Sequence, residues 1–155
     1  MRVLELGPLD ALEAAALPLD RLWLRGGFPD SALAPSDERS LRWREDFVRT
    51  YLERDIPQFG PRLPAETLRR LWVMLAHRQG GPYNAAELAR NLGLDTRTAN
   101  RYVDLLGDLF RLRRRPPWHA NVGKRLVKSP RLYVRDSGLV HALLSVAGLD
   151  ALLAH

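Results

Sequence analysis

The chain has 155 residues, of which 46% are hydrophobic and 27% are charged, and it contains no cysteine. This apolar share excludes a mainly disordered protein and predicts one domain or two small units. Without cysteine the chain has no disulfide, thiolate nucleophile or thiolate zinc site, and no apolar run approaches the ~20 residues of a membrane span. Glu5 and Pro8 interrupt the apolar N-terminal stretch and argue against a signal peptide. We expect a soluble, cytoplasmic protein.

The positive charge is concentrated in one segment of the chain. The net charge is +6, yet the segment from Arg111 to Arg135 holds nine basic residues and no acidic one, so the remainder is net negative. This distribution favours an anionic partner. The nine residues are Arg111, Arg113, Arg114, Arg115, Lys124, Arg125, Lys128, Arg131 and Arg135.

The N-terminal residues 1–35 are expected to form a short strand and loops, because four prolines interrupt any long helix. Aromatic residues on both sides of Gly26 and Gly27 indicate a tight turn. The prolines are Pro8, Pro18, Pro29 and Pro35.

Two helices are predicted next. Ser36 is a good N-cap for the first, and Pro57 is expected to end it. The second is expected to begin near Pro64 and to end at Gly80 and Gly81.

A pair of shorter helices follows, separated by a tight turn. Asn84 caps the first of the pair in capping-box register with Glu87, and Gly93 is its expected C-terminal cap. Asp95 or Thr96 caps the second, which carries an apolar stripe with a period of 3.6 residues.

After these helices the apolar period changes to two, which indicates strands near residues 110–113 and 131–135. The connection from Arg115 to Pro130 is longer than an ordinary hairpin loop, and such loops are usually functional or mobile. Asp136 is placed to cap a last helix.

This order of elements is that of a winged helix. We therefore predict a mainly α fold, a winged helix-turn-helix with an extra N-terminal helix and a short β-hairpin wing. Residues 86–101 carry the main signal, because the small Ala89 lets two helices approach and Gly93 supplies a positive φ.

The second helix of such a pair can enter the major groove of DNA. Arg97 and Arg101 share a face, and arginine suits guanine or phosphate while Asn100 suits adenine. A basic wing would contact phosphates, or it would dock on an acidic protein surface. The candidate nucleic-acid-binding residues are Arg97, Thr98, Asn100, Arg101, Arg113, Arg114, Arg115, Lys124, Arg125 and Lys128.

Signals for catalysis and metal binding are poor. A phosphate loop beginning at Gly123 would need glycine where Lys128 stands, and Glu53 and Asp55 are two apart on a helix and point to different faces. We expect no catalytic residue, no metal and no cofactor. The histidines lack paired ligand spacing and are His77, His119, His141 and His155.

Four motifs occur in a fixed order along the chain. They are Leu-Trp-Leu-Arg-Gly-Gly-Phe-Pro at 22–29, Thr-Tyr-Leu-Glu-Arg-Asp-Ile-Pro at 50–57, Tyr-Asn-Ala-Ala-Glu-Leu-Ala at 83–89, and Gly-Lys-Arg-Leu-Val-Lys-Ser-Pro-Arg-Leu-Tyr-Val-Arg-Asp-Ser-Gly-Leu at 123–139. The series resembles the C-terminal half of a large family of bacterial and archaeal AAA+ ATPases. In that family a nucleotide-binding core precedes a winged helix, and a domain of unknown function that looks like a restriction endonuclease follows.

The resemblance implies a division of the chain into segments. Two motifs of the family are missing from this sequence. Neither the phosphate loop nor the acidic magnesium-binding strand of the ATPases is present, so the chain by itself is not expected to be an enzyme. Arg54 would sense nucleotide or a neighbouring subunit in an intact relative, unless it makes only a structural ion pair. The implied segments are the end of the ATPase core and a linker at 1–35, a connecting helix at 36–62, the winged helix at 63–136, and the start of the nuclease-like domain at 137–155.

The charge distribution, the predicted fold and the resemblance favour two functions, DNA binding and protein docking. The leading one is a winged-helix module that binds double-stranded DNA. The alternative is a docking module whose basic loop holds an ATPase core, a nuclease-like domain or an acidic protein. The apolar segment from Leu139 to Leu153 would pack on a domain that the chain lacks, so we also expect self-association through it.

Overall fold

The computed structural model describes residues 6–59, 64–109, 111–116 and 129–154. The fold is mainly helical with one two-stranded antiparallel hairpin, as expected at that level of detail. The described helices are α1 (Leu19–Arg25), α2 (Pro29–Ala32), α3 (Asp37–Thr50), α4 (Ile56–Phe59), α5 (Ala65–His77), α6 (Ala85–Leu92), α7 (Thr96–Asp108), α8 (Ser137–Leu143) and α9 (Leu149–Leu153). The strands are β1 (Leu112–Arg115) and β2 (Arg131–Val134).

The chain divides into two compact units. Unit 1 comprises Met1–Arg54 and Asp136–His155, and unit 2 comprises Asp55–Arg135. In the described part of the chain, no helix combines the length and the apolarity that a membrane crossing needs.

Helices α1 and α2 correct the expectation of a strand and loops at the N-terminus. The prolines there start helices rather than exclude them, because Pro18 is the N-cap of α1 and Pro29 is the first residue of α2. The tight turn is present, since Gly26 ends α1 with a φ of 77°. The predicted strand lies largely outside the described residues.

The helix that begins at Ser36 does not end at Pro57. The Ser36 hydroxyl accepts a hydrogen bond from the Arg39 N–H at 3.2 Å, which confirms the N-cap. A π-helical turn, Tyr51–Asp55, and then α4 continue the chain beyond α3. The π turn widens the helical hydrogen-bond ladder just before Pro57, where a regular α-helix would meet the steric clash of the proline ring.

In unit 2, α5 begins directly after Pro64 but ends at His77, before the expected glycines. The residues beyond it pair with β2 instead. The Gly80 N–H donates to the Leu132 carbonyl at 2.8 Å, and the Tyr83 N–H donates to the Pro130 carbonyl at 2.8 Å. Segment 80–83 therefore lies along the edge of β2 opposite β1.

The N-caps at Asn84 and Asp95 and the glycine at Gly93 are those predicted, but Glu87 directs both carboxylate oxygens to Arg78 and not back to the Asn84 N–H as a capping box requires. The Asn84 side chain accepts from the Glu87 N–H at 3.1 Å, Gly93 is left-handed with a φ of 67°, and Asp95 caps α7. The carboxylate of Glu87 bonds with Arg78. The apolar core of unit 2 includes Leu68, Leu71, Trp72, Leu75, Leu88, Ala89, Leu92, Ala99, Tyr102, Val103, Leu106, Leu112, Leu132 and Val134.

The C-terminal helices modify the expectation of an exposed apolar segment. Asp136 caps α8 by accepting from the Leu139 N–H at 2.9 Å, as predicted. Leu139, Val140 and Leu143 are buried where α8 packs against α1 and α3, so an exposed face is wrong for these residues. Leu153, on the unpredicted α9, is 69% exposed.

Candidate nucleic-acid interface

Helix α7 carries a stripe of charged residues on its exposed face. Arg97, Arg101, Asp104 and Asp108 follow one another at spacings of four, three and four residues, and all four are exposed. Within the described residues, neither arginine has a hydrogen-bond or ion-pair partner. The positive charge of the stripe thus lies in the N-terminal half of α7, which is the half that a helix-turn-helix presents to bases.

The N-terminal cap of α7 engages one of the predicted contact residues. Asp95 accepts from the Thr98 N–H at 2.9 Å and from the Thr98 hydroxyl at 2.6 Å. These bonds lower the pKa of Asp95 from its ordinary value. The hydroxyl proton of Thr98 is therefore used to stabilise the helix start rather than to contact a ligand.

Tyr83 connects α7 to the hairpin. Its phenol donates a hydrogen bond to Oδ1 of Asn100 at 2.6 Å, and the guanidinium carbon of Arg114 lies 5.4 Å from the centroid of its ring. Partial burial raises the pKa of Tyr83, so the phenol keeps its proton at neutral pH. Tyr83 therefore contacts Asn100 through its hydroxyl and Arg114 through its ring.

An ion pair joins the same two elements. Nη2 of Arg114 lies 2.7 Å from Oδ1 of Asp104, which belongs to the charged stripe of α7. Arg113 and Arg115, also on β1, are exposed and have no partner among the described residues. The stripe of α7 and the arginines of β1 are thus neighbours.

Only the first residue of β1 is buried, and its three arginines are exposed. Leu112 is paired with Val134, and both are buried in the core of unit 2. Strand residues alternate between two faces, but the three residues after Leu112 are all exposed. Three other predicted contacts, Lys124, Arg125 and Lys128, lie outside the described residues.

The remaining candidate residues are placed as follows. Arg54 and Glu53 are exposed on the π-helical turn, and Asp55 is half-buried there. His141 is buried, with Nδ1 3.0 Å from the Leu24 carbonyl oxygen. In the described ranges, no group of three or more histidine, aspartate or glutamate side chains is arranged to hold a metal ion.

Sequence reasoning missed two residues that organise this surface. Tyr83 was quoted only within a motif, and Asp104 was not singled out, although it lies three residues after Arg101 and so on the same face. That spacing was the signal available for Asp104. For Tyr83 no local pattern exists, because its partners come from α7 and β1.

Residues 17–150 match the family described as Domain of unknown function (DUF8612). This match covers most of the chain. The chain belongs to that family. Membership in DUF8612 identifies relatives without assigning an activity to them.

Two longer proteins are similar to this chain over most of its length. They are uncharacterized proteins of Mycobacterium bovis and Mycobacterium tuberculosis, each 47% identical over 146 residues, or 94% of this chain. The chain spans about a third, 33%, of the length of each relative. No solved structure was found to match it.

Proposed function

We propose that unit 2 is a winged-helix module that binds duplex DNA and belongs to a cytoplasmic protein of the AAA+ ATPase type. The order of elements supports the winged helix: α5, segment 80–83, α6, α7, β1 and β2. Segment 80–83 takes the place of a third strand beside β2, with an isolated bridge between Pro82 and Arg131. A winged helix combines these parts, with the hairpin loop as its wing.

One observation carries the proposal of DNA binding. The Arg114–Asp104 ion pair sets the exposed arginines of β1 beside the stripe of α7 that holds Arg97 and Arg101. A helix suited to a groove and a strand suited to the flanking phosphates are thereby adjacent. Phosphate contacts supply affinity and register, while side chains in the groove read the bases.

The AAA+ part of the proposal rests on the four ordered motifs. The Mycobacterium relatives are about three times as long as this chain, which leaves room in those proteins for a nucleotide-binding core. We propose that the present chain contributes DNA binding and no ATP chemistry, because its sequence has no glycine-rich phosphate cradle. The segments that the resemblance implies, with boundaries after residues 35, 62 and 136 of this chain, belong to the same proposal.

A salt titration tests DNA binding. If the module neutralises about five phosphates, log affinity falls with log salt concentration with a slope near −4.5. Arg113→Ala should flatten the slope by about one and weaken binding equally on every sequence. Arg69→Ala is the matched control, since Arg69 is an exposed arginine of unit 2 on α5, outside α7 and the hairpin.

The docking alternative has an observation of its own. Asp104 and Asp108 share the stripe of α7 with Arg97 and Arg101, and such a mixed charge suits docking on a protein domain better than contact with uniformly negative DNA along the whole helix. If the surface binds an acidic protein rather than DNA, no gel shift appears at about 50 mM salt, where phosphate contacts are strong. That result would contradict the DNA proposal. A shift that disappears in Arg113→Ala and persists in Arg69→Ala supports it.

A further inference from the structure

The two exposed arginines in the N-terminal half of α7 present hydrogen-bond donors and no acceptor. Arg97 and Arg101 carry only donors, and in the described part of the chain neither is bonded to a protein acceptor. Both side chains are exposed. Any base that they contact must therefore offer acceptors.

The hydrogen bond from Tyr83 occupies the amide oxygen of Asn100 and leaves its amide nitrogen as a donor. A free asparagine amide offers both an oxygen acceptor and a nitrogen donor, which is the pair that matches adenine. Here the amide oxygen accepts the Tyr83 phenol at 2.6 Å, which fixes the orientation of the amide. The nitrogen Nδ2 is left as the group that can reach a ligand.

Neighbouring acceptors are occupied in the same way. Both carboxylate oxygens of Asp95 accept from Thr98 at the helix start. The carboxylate of Asp104 pairs with Arg114. Each of these carboxylates therefore already has a protein donor, whereas the donors of Arg97 and Arg101 have no protein partner among the described residues.

We infer that α7 reads guanine and that the preferred ligand of this surface is guanine-containing duplex DNA. In the major groove guanine shows two acceptors, N7 and O6, whereas adenine shows one acceptor beside an amino donor and cytosine shows an amino donor. The donors of Arg97, Arg101 and Asn100 fit guanine and leave the adenine amino group unmatched. This inference rests on the proposed DNA binding, and it differs from the expectation that Asn100 suits adenine.

The direct test compares three duplexes of one length by fluorescence anisotropy at one salt concentration. One is rich in G·C pairs, one is rich in A·T pairs, and the third is the G·C duplex with 7-deazaguanine, which lacks the N7 acceptor and keeps every phosphate. Each two-bond arginine contact should favour the G·C duplex about 5- to 150-fold. The 7-deazaguanine duplex should lose most of that preference.

Three substitutions assign the preference to residues. Arg101→Ala should reduce the G·C preference, whereas Arg113→Ala should weaken binding to all three duplexes by the same factor. Tyr83→Phe keeps the ring beside Arg114 but releases the amide of Asn100, so binding to the A·T duplex should rise relative to the G·C duplex. Unchanged thermal unfolding of Tyr83→Phe would show that the variant is folded.

The outcomes separate the two proposals. Salt-dependent binding with equal affinity for all three duplexes, or with a preference for A·T pairs, overturns guanine reading and leaves DNA binding intact. No binding to any duplex at low salt overturns both. A G·C preference that survives the 7-deazaguanine replacement and Arg101→Ala also overturns the assignment to α7.

Discussion

Unit 1 encloses charged and polar side chains, whereas the described core of unit 2 is apolar. All of the buried polar or charged residues in the described part of the chain belong to unit 1: Arg25, Ser31, Ser40, Arg44, Asp136 and His141. In unit 2 the polar partners, such as Tyr83 and Asn100, are only half-buried. The two units therefore depend on different interactions for stability.

The buried groups of unit 1 connect segments that are distant in sequence. Nη1 of Arg44 donates to the carbonyls of Leu24 at 3.0 Å and Gly138 at 2.9 Å, and its Nε donates to Ser40 at 3.2 Å. Asp136 accepts from the Gly27 N–H at 2.8 Å. Burial lowers the pKa of Arg44 and raises that of Asp136, so each charge carries a desolvation cost that its hydrogen bonds offset only in part.

This difference predicts how much stability each unit loses when one side chain is replaced. A buried hydrogen-bond network loses more than one interaction when one member is removed, because its partners remain buried and unpaired. Exposed helix caps that are far apart and share no partners lose their contributions almost separately. Four experiments test whether the two units differ in this way.

Arg44→Met should have the largest effect. It leaves buried carbonyl oxygens without a donor, so we expect the stability of unit 1 to fall by about 3–5 kcal/mol. Arg42→Ala is the control, since Arg42 is exposed and its oxygen partner on Glu38 is 3.9 Å away, and it should cost less than about 0.5 kcal/mol. Urea unfolding measures the loss, and hydrogen exchange should locate it in α3 and α8. Equal losses in the two variants would contradict the comparison.

Two glycine substitutions should act with opposite signs. A Cβ on Gly138 would overlap the Arg25 carbonyl oxygen, so Gly138→Ala should destabilise unit 1 by about 1–3 kcal/mol. A Cβ on Gly107, inside α7, meets nothing within 4 Å, so Gly107→Ala should stabilise unit 2 by about 0.5–1 kcal/mol. Thermal unfolding of both variants checks the signs, and a stable Gly138→Ala protein would show that unit 1 can relax.

Removing a cap in unit 2 should have a smaller, local effect. Asp95→Ala loses the bonds to Thr98 and should cost about 1 kcal/mol. Asp108→Ala, at the other end of α7, removes an exposed aspartate and should be nearly neutral. Hydrogen exchange of the α7 amides measures both. Faster exchange in α8 on loss of the Asp95 cap would show that the effect is not local.

Lowering the pH should change the stability of the two units in opposite directions. The raised pKa of Asp136 means that folded unit 1 binds its proton more tightly than the unfolded chain, so this contribution is present at low pH and is lost as pH rises. The lowered pKa values of Glu87 and Asp95 contribute stability to unit 2 at neutral pH that is lost as pH falls. Each effect is expected to be smaller than those of the substitutions.

A neutral variant isolates the contribution of Asp136. Between about pH 7 and about pH 4, the melting temperature of the natural chain should rise relative to that of Asp136→Asn, because protonation removes the cost of a buried charge. A difference that stays constant across this range would show that Asp136 titrates in the same way in the folded and unfolded states.

The local signals in the sequence predicted most of unit 2. The N-caps at Asn84 and Asp95 and the glycine at Gly93 act within one turn of the residue that shows them, so no tertiary information is needed. Unit 1 was predicted less well. A buried Arg44 resembles any helical arginine, and the only hint is that Ser40, Arg44 and Val48 share one stripe.

The sequence likewise predicted only part of the candidate site. The positions of Arg97 and Arg101 on an exposed face followed from helical spacing alone. The orientation of Asn100 did not, since the phenol that fixes it belongs to another segment. Hydrogen bonds between segments decide which atoms a side chain can offer, and sequence periodicity does not describe them.

The arginines of β1 have a second consequence, for aggregation. In the described sheet, β2 is paired on both sides, by β1 and by segment 80–83, while β1 is bonded only to β2. An open strand edge is a template for pairing with another chain, and charged side chains oppose such pairing. Arg113, Arg114 and Arg115 are all exposed on that strand. A variant with all three neutralised would therefore be prone to edge-to-edge assembly, whereas single replacements would keep enough like charge on the strand to hold two copies apart.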